Sequence, residues 1–170
     1  MTQDQTVNQH TMAVLVDNEA GVLARVIGLF SGRGYNIESL TVAETDHEEG
    51  LSRITIVTSG TSMVIEQIKA QLERLVPIHR VQDLTIEGPS VERELALVKV
   101  AGTGDPRVES LRLADAFRAR VIDTTTKSFT FEITGTSSKI DAFIGLMKPL
   151  GLVDVSRTGI VAITRGIDRL

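Results

Sequence analysis

Apolar residues recur along this chain with two different periods, and the switches between them mark its elements. From His10 to Val16, Met12, Val14 and Val16 fall on one side of an extended strand, with Ala13 and Leu15 on the other. Both sides are apolar, which predicts a strand covered on two faces. The period then lengthens: Val22, Leu23, Val26, Ile27, Leu29 and Phe30 recur at helical spacing. Asp17 or Asn18 is the expected helix cap, with Glu19 adding charge that the dipole favours. Gly34 followed by Tyr35 reads as its stop. Period two returns at Asn36 to Glu44, where Ile37, Leu40 and Val42 are apolar, and at Leu51 to Thr58. The polar turn Thr45 to Gly50 joins them as a hairpin. Thr61 or Ser62 then caps a second helix carrying Val64, Ile65, Ile68, Leu72 and Leu75. Pro77 stops it, and Val76 to Ile86 forms a fourth strand.

The order β-α-β-β-α-β is the ferredoxin-like arrangement, one antiparallel sheet with both helices on one face. The other face keeps apolar residues, which argues for pairing with a second copy. Gly88-Pro89-Ser90 breaks both periods and is the expected domain boundary. Beyond it the order repeats. Glu94 to Val100 is a strand, and Pro106 opens a helix carrying Val108, Leu111, Ala114, Phe117 and Val121. Arg120 to Thr126 and Ser128 to Thr134 are strands. G-T-S-S-K-I-D-A-F repeats the earlier cap-and-stripe pattern, with Ile140, Phe143, Ile144, Met147 and Leu150 apolar, and Val153 to Ile163 closes as one strand. The fold class is therefore α+β, two consecutive ferredoxin-like βαββαβ domains spanning residues 10–87 and 91–170, after a flexible tail of residues 1–9. Two small domains suit 170 residues.

Composition narrows the chemistry. A net charge of -4 without any basic block excludes nucleic acid as an expected partner. The absence of cysteine removes disulfides, thiol catalysis and cysteine metal sites. No apolar run approaches the roughly 20 residues that span a membrane. The first nine residues are polar and unlike a signal peptide, so the expected compartment is the cytoplasm.

No catalytic constellation emerges. His10, His47 and His79 lack metal-ligand spacing, and no serine lies in a nucleophile elbow. Gly102 to Pro106 (G-T-G-D-P) lacks both the P-loop lysine and the dinucleotide fingerprint. His47 beside Asp46, Glu48 and Glu49 reads as a solvated acidic turn, with a divalent-ion site as the sharper alternative. A binding role is better supported. The turn from Asn18 to Gly21 offers N–H donors at a helix start, where a small carboxylate binds. Gly21 weakens the helix by up to about 1 kcal/mol, so it calls for a reason. Asn36 offers an amide donor and acceptor. Plain capping and turn roles for Asn18 and Asn36 stay open. The two lie at opposite ends of a helix roughly 20 Å long, so one small ligand meets both only across a symmetric dimer.

The stretch D-N-E-A-G-V-L-A-R-V-I-G-L-F-S-G-R-G-Y-N-I-E-S-L-T-V resembles the N-terminal ACT domain of acetolactate synthase (acetohydroxyacid synthase) small subunits. L-S-R-I-T-I-V, V-E-R-E-L-A-L-V-K-V and S-R-T-G-I-V-A-I-T-R-G match the same family, so the resemblance runs from about His10 to Gly166. It implies a regulatory subunit without a catalytic site. Such a subunit binds and activates a large catalytic subunit, which holds thiamine diphosphate, magnesium and FAD, while this chain holds no cofactor or metal. The complex begins branched-chain amino-acid synthesis and is feedback-inhibited by valine, in some members by leucine or isoleucine. The resemblance places valine between two ACT domains of a homodimer. Its contacts fall on Asn18, Gly21, Val22 and Leu23 of one copy and on Asn36, Ile37 and Val42 of the other. The alternative is a free-standing ACT-type sensor acting on another enzyme or on transcription, and the latter needs a DNA-binding segment that the sequence does not display.

Overall fold

The computed structural model of the chain describes residues 6–170, and the tail expected at residues 1–9 lies partly outside them. Strand β1 (Asn8–Asp17) already begins within that tail, pairing Asn8 with Gly60. Helix α1 (Val22–Gly32), β2 (Ser39–Asp46), β3 (Leu51–Gly60), α2 (Ser62–Glu73) and β4 (Ile78–Asp83) follow. They form an antiparallel sheet of order β2-β3-β1-β4. The expected βαββαβ order is thus present in the first half. Met12, Val14 and Val16 pack with Ile54, Ile56 and the helix residues Val26, Phe30, Ile68 and Leu72 in one core.

The end of α1 follows its sequence. Tyr35 N donates to Phe30 O at 2.9 Å across Gly34, whose φ is +71°. The two rings meet edge-on at 6.2 Å, the hydrophobic contact of a Schellman stop. The start of α1 differs from expectation. Gly21 occupies the cap position, and no side chain caps the helix. Asp17 is drawn elsewhere: its Oδ1 lies 2.5 Å from His79 Nε2. Asn18 continues the strand pattern by donating its N–H to Gly50 O at 2.7 Å.

The second half repeats the order with β5 (Ser90–Ala101), α3 (Asp105–Ala116), β6 (Arg120–Thr124), β7 (Ser128–Gly135), α4 (Ser137–Met147) and β8 (Leu152–Arg157). Its sheet has the order β6-β7-β5-β8. Val98, Phe131, Ile140 and Phe143 centre its core. The repeat extends to the caps, since Thr61 accepts from Val64 N and Thr136 from Lys139 N, both at 3.4 Å. Glu94, only 4% exposed, accepts from Arg157 Nε at 2.6 Å and Nη2 at 2.9 Å, and from Ser137 Oγ at 2.9 Å. The Arg157 guanidinium holds this carboxyl below the usual glutamate value, against the opposing effect of burial.

One expected element is split. The strand read from Val153 to Ile163 breaks at Gly159, which has φ +83°, and a separate β9 (Val161–Thr164) follows. The chain divides into two compact units, residues 93–159 and the remainder, so Ile160–Leu170 packs with the first unit rather than with the expected domain of residues 91–170. This final segment lies on the sheet face opposite the helices, where Ala13, Val57 and Leu84 cluster with Ile160 and Ala162, and Leu170 adds to them. Ile160 N donates to Ser39 Oγ at 3.0 Å, Arg53 Nη2 to Ala162 O at 2.7 Å, and Arg80 Nη1 to Arg169 O at 2.8 Å. The apolar face expected to await a second copy is covered here by the chain's own C-terminus.

Ile160→Ala should therefore destabilise the protein by about 2–4 kcal/mol through the lost contacts and the cavity, measured by urea unfolding. The Glu94 lock gives a pH signature. A carboxylate with a depressed folded pKa stabilises above its unfolded value, about 4.3 for glutamate. That contribution is lost as pH falls through the folded value. Glu94→Gln should cost about 1–3 kcal/mol at neutral pH. The difference from wild type should shrink as the pH is lowered below about 4.

Candidate functional site

The turn before α1 gathers Asn18, Gly21, Val22 and Leu23. Gly21 has φ +88° and ψ -10°, a conformation that L side chains adopt at a cost of roughly 1–2 kcal/mol. A Cβ placed there would meet nothing within 4 Å, so backbone conformation and not crowding requires glycine. Arg25 N donates to Gly21 O at 3.1 Å, the first bond of the helix. With no side-chain cap, the first turn keeps donors for an anion. Val22 contributes differently from expectation. Its side chain is 5% exposed and belongs to the core, and its main-chain N–H donates to Glu19 O at 3.4 Å.

Asn36 and Ile37 lie at the opposite end of the same helix. An 11-residue helix is about 16 Å long. The hydrogen bonds place both ends on the sheet. Asn18 is tied to Gly50, beside the β1 residue Asp17 that pairs with Leu51. At the far end Glu38 accepts from Gln9 Nε2 at 2.5 Å and from Ser59 Oγ, and Gln9 pairs with Ser59 in the sheet. One copy therefore keeps the Asn18 turn and Asn36 apart. Val42 sits between these ends, paired with Ile54.

Asn36 is exposed, and its carbonyl accepts from Thr58 Oγ1 at 2.6 Å. Thr58 is fully buried and is not among the residues that the sequence pattern singles out. A signal for it exists: in R-I-T-I-V-T it is a polar residue on the apolar face of the strand, two positions after Ile56. Ser39, which receives Ile160 N, is the other missed residue, and it has no such signal. Ile37 is half-buried against the core.

Strand β2 is an edge of the sheet, with β3 on one side and, among the described residues, no strand on the other. On α1 and β2 three apolar side chains remain exposed: Leu23 and Ile27 at 37% each on α1, and Val42 at 41% on β2. Among the described residues no group of three histidine, aspartate or glutamate side chains could hold a metal. In the acidic turn His47 Nδ1 lies 2.9 Å from Glu44 Oε2, and Asp46 Oδ1 accepts from the N–H groups of Glu48 and Glu49. No helix among the described residues is long and apolar enough to cross a membrane.

Two βαββαβ units in tandem, the first with an uncapped glycine turn opening α1 and a free β2 edge, have the architecture of ACT-domain proteins, and a family match establishes that class. Residues 12–80 match the model of the AHAS small subunit-like ACT domain. Residues 93–166 match that of the small subunit of acetolactate synthase. The chain belongs to the acetolactate synthase small-subunit family, whose place is branched-chain amino-acid biosynthesis. It is 48% identical over 158 residues to the probable acetolactate synthase small subunit of Archaeoglobus fulgidus, covering 93% of this chain and 98% of that one. It is 49% identical over 156 residues to the acetolactate synthase isozyme 3 small subunit of Escherichia coli, covering 91% and 94%. The crystal structure of the acetolactate synthase small subunit from Thermotoga maritima superposes with a TM-score of 0.85 at 39% identity, covering 95% of this chain and 99% of that one.

Gly21→Ala should lower stability by about 1–2 kcal/mol through backbone strain alone. Thermal unfolding of this variant, compared with Gly28→Ala within α1, separates that strain from loss of a helical glycine.

Proposed function

We propose that this chain is the regulatory subunit of acetolactate synthase: it associates with the large catalytic subunit, raises its activity and confers feedback inhibition by valine. Thiamine diphosphate, magnesium and FAD belong to the catalytic partner in this reading. Valine binds between two ACT domains, on Asn18, Gly21, Val22 and Leu23 of one copy and Asn36, Ile37 and Val42 of the other.

The observation that carries the reading is the combination of a free β2 edge with two half-sites at opposite ends of the sheet. Two β2 strands that pair antiparallel across a two-fold axis reverse the ends of one copy relative to the other. The Asn18 turn of one copy then approaches Asn36 of its partner. Leu23, Ile27 and Val42 supply apolar surface on α1 and β2. Valine's carboxylate suits the N–H groups of the α1 start. Its ammonium suits the Asn36 side-chain oxygen, and its side chain suits Leu23, Ile37 and Val42. The cover of the other sheet face by Ile160–Leu170 supports an edge-to-edge pairing over a face-to-face one.

Gly21→Asp tests the site, because it sets negative charge where the ligand carboxylate goes. Valine inhibition of the enzyme reconstituted with this variant should be lost while activation of the catalytic subunit persists. Retained valine sensitivity would refute the placement.

A further inference from the structure

α1 and α2 pack side by side in the first unit, and a cleft of about 420 Å³ opens between their outer surfaces. Arg25, Gly28 and Arg33 line one wall, and Gln71 and Arg74 the other. All three arginines are exposed. None has a carboxylate partner among the described residues, whereas Lys69, Arg112, Arg120 and Arg157 each do. A cluster of three unpaired cations is unexpected in a chain of net charge -4. A second observation points the same way. Gln71 Oε1 is buried in this wall without any hydrogen-bond partner. Turning the amide over would only put an unpartnered N–H₂ in the same place. Gln71 as a whole is half-buried, and a turn of its side chain is what would bring this oxygen to a partner in the cleft.

The spacing indicates what kind of partner. Arg25 and Arg33 are eight residues apart, about 12 Å along a helix. With Arg74 on the facing wall, three guanidinium groups spread along the cleft suit more than one carboxylate. Arginine pairs most strongly with carboxylates in bidentate geometry, and the main chain of a protein segment carries the N–H that Gln71 Oε1 lacks. Gly28 leaves the wall open, since a Cβ there would have no neighbour within 4 Å. We propose that this cleft docks an acidic segment of the catalytic subunit, a stretch with at least two aspartate or glutamate side chains. The inference rests on the association with a catalytic subunit proposed above and adds the surface that makes it. It also links docking to the effector turn, because Arg25 N is bonded to Gly21 O.

The test uses the full-length chain and the large subunit from the same genome. Arg25→Glu, Arg33→Glu and Arg74→Glu are combined in one variant, with Arg33→Gln/Arg74→Gln as a milder second. The half-saturating concentration for activation of the large subunit should rise roughly tenfold or more in the triple variant. It should rise less in the double one. Wild-type half-saturation should also rise with added salt. Calorimetric valine binding and the oligomeric state in ultracentrifugation should match wild type. If the triple variant loses its circular-dichroism signature, the double variant decides. Wild-type half-saturation in a folded variant would overturn the proposal. Saturable binding of inorganic phosphate to the isolated chain, lost in the triple variant while activation is unaffected, would overturn it in favour of a small anion. Absence of any interaction between wild type and the large subunit would overturn the association itself, which distinguishes that failure from failure of the cleft.

Discussion

The first sheet has two apolar faces and only one layer of helices. Met12, Val14, Ile54 and Ile56 face α1 and α2, while Ala13, Val57 and Leu84 point the other way. Burial of that second face organises much of the remaining structure, because apolar surface left in water is unfavourable by about 25 cal/mol per Å². The chain resolves it with its own last residues, returning at Ile160 after the whole second unit has been built. On the second sheet a groove is lined by Leu97 together with the polar residues Lys99, Thr130, Asp154 and Ser156. Covering the face leaves the two edges of the first sheet, β2 and β4, with free main-chain groups, and the pairing proposed above uses the first of them.

The same return fixes the start of β2. Ile160 N is bonded to Ser39, three residues after Asn36, and Asn36 is itself held by Thr58. One half of the candidate effector site is thereby tied to the final segment, and the other half opens the helix that carries Arg25. A ligand bridging two copies would act on elements with defined connections to both. Such linkage between sites amounts to about 1–3 kcal/mol in typical regulatory proteins.

The sequence makes the elements legible wherever one face is buried, because burial enforces periodicity. The doubled βαββαβ order, the Thr61 and Thr136 caps and the Gly34 stop come from local patterns and are present. The cap of α1 is not legible, because Asp17 is taken by His79, 62 residues away. Gly159, with a positive φ, lies in the break between β8 and β9 that the sequence reads as one strand. Partners distant in sequence also hide the covering role of Ile160–Leu170. Arg53, the one charged residue of β3, is its one trace, and it donates to Ala162 O. The individual residues of the candidate site are readable, but the side chain of Val22 is not, since helical periodicity does not say which of Val22 and Leu23 turns inward.

The placing of the covering segment after the second unit has a consequence for biosynthesis. A polypeptide emerges from the ribosome N-terminus first, and domains generally fold as they appear. Here residues 93–159 are complete before the unit that precedes them. Until Ile160–Leu170 is released, the earlier sheet has Ala13, Val57 and Leu84 without their partners. Every nascent chain thus passes through a stage with one bare apolar face. A chain in which residues 160–170 cannot dock stays in that stage, as a species prone to association through the wrong surface.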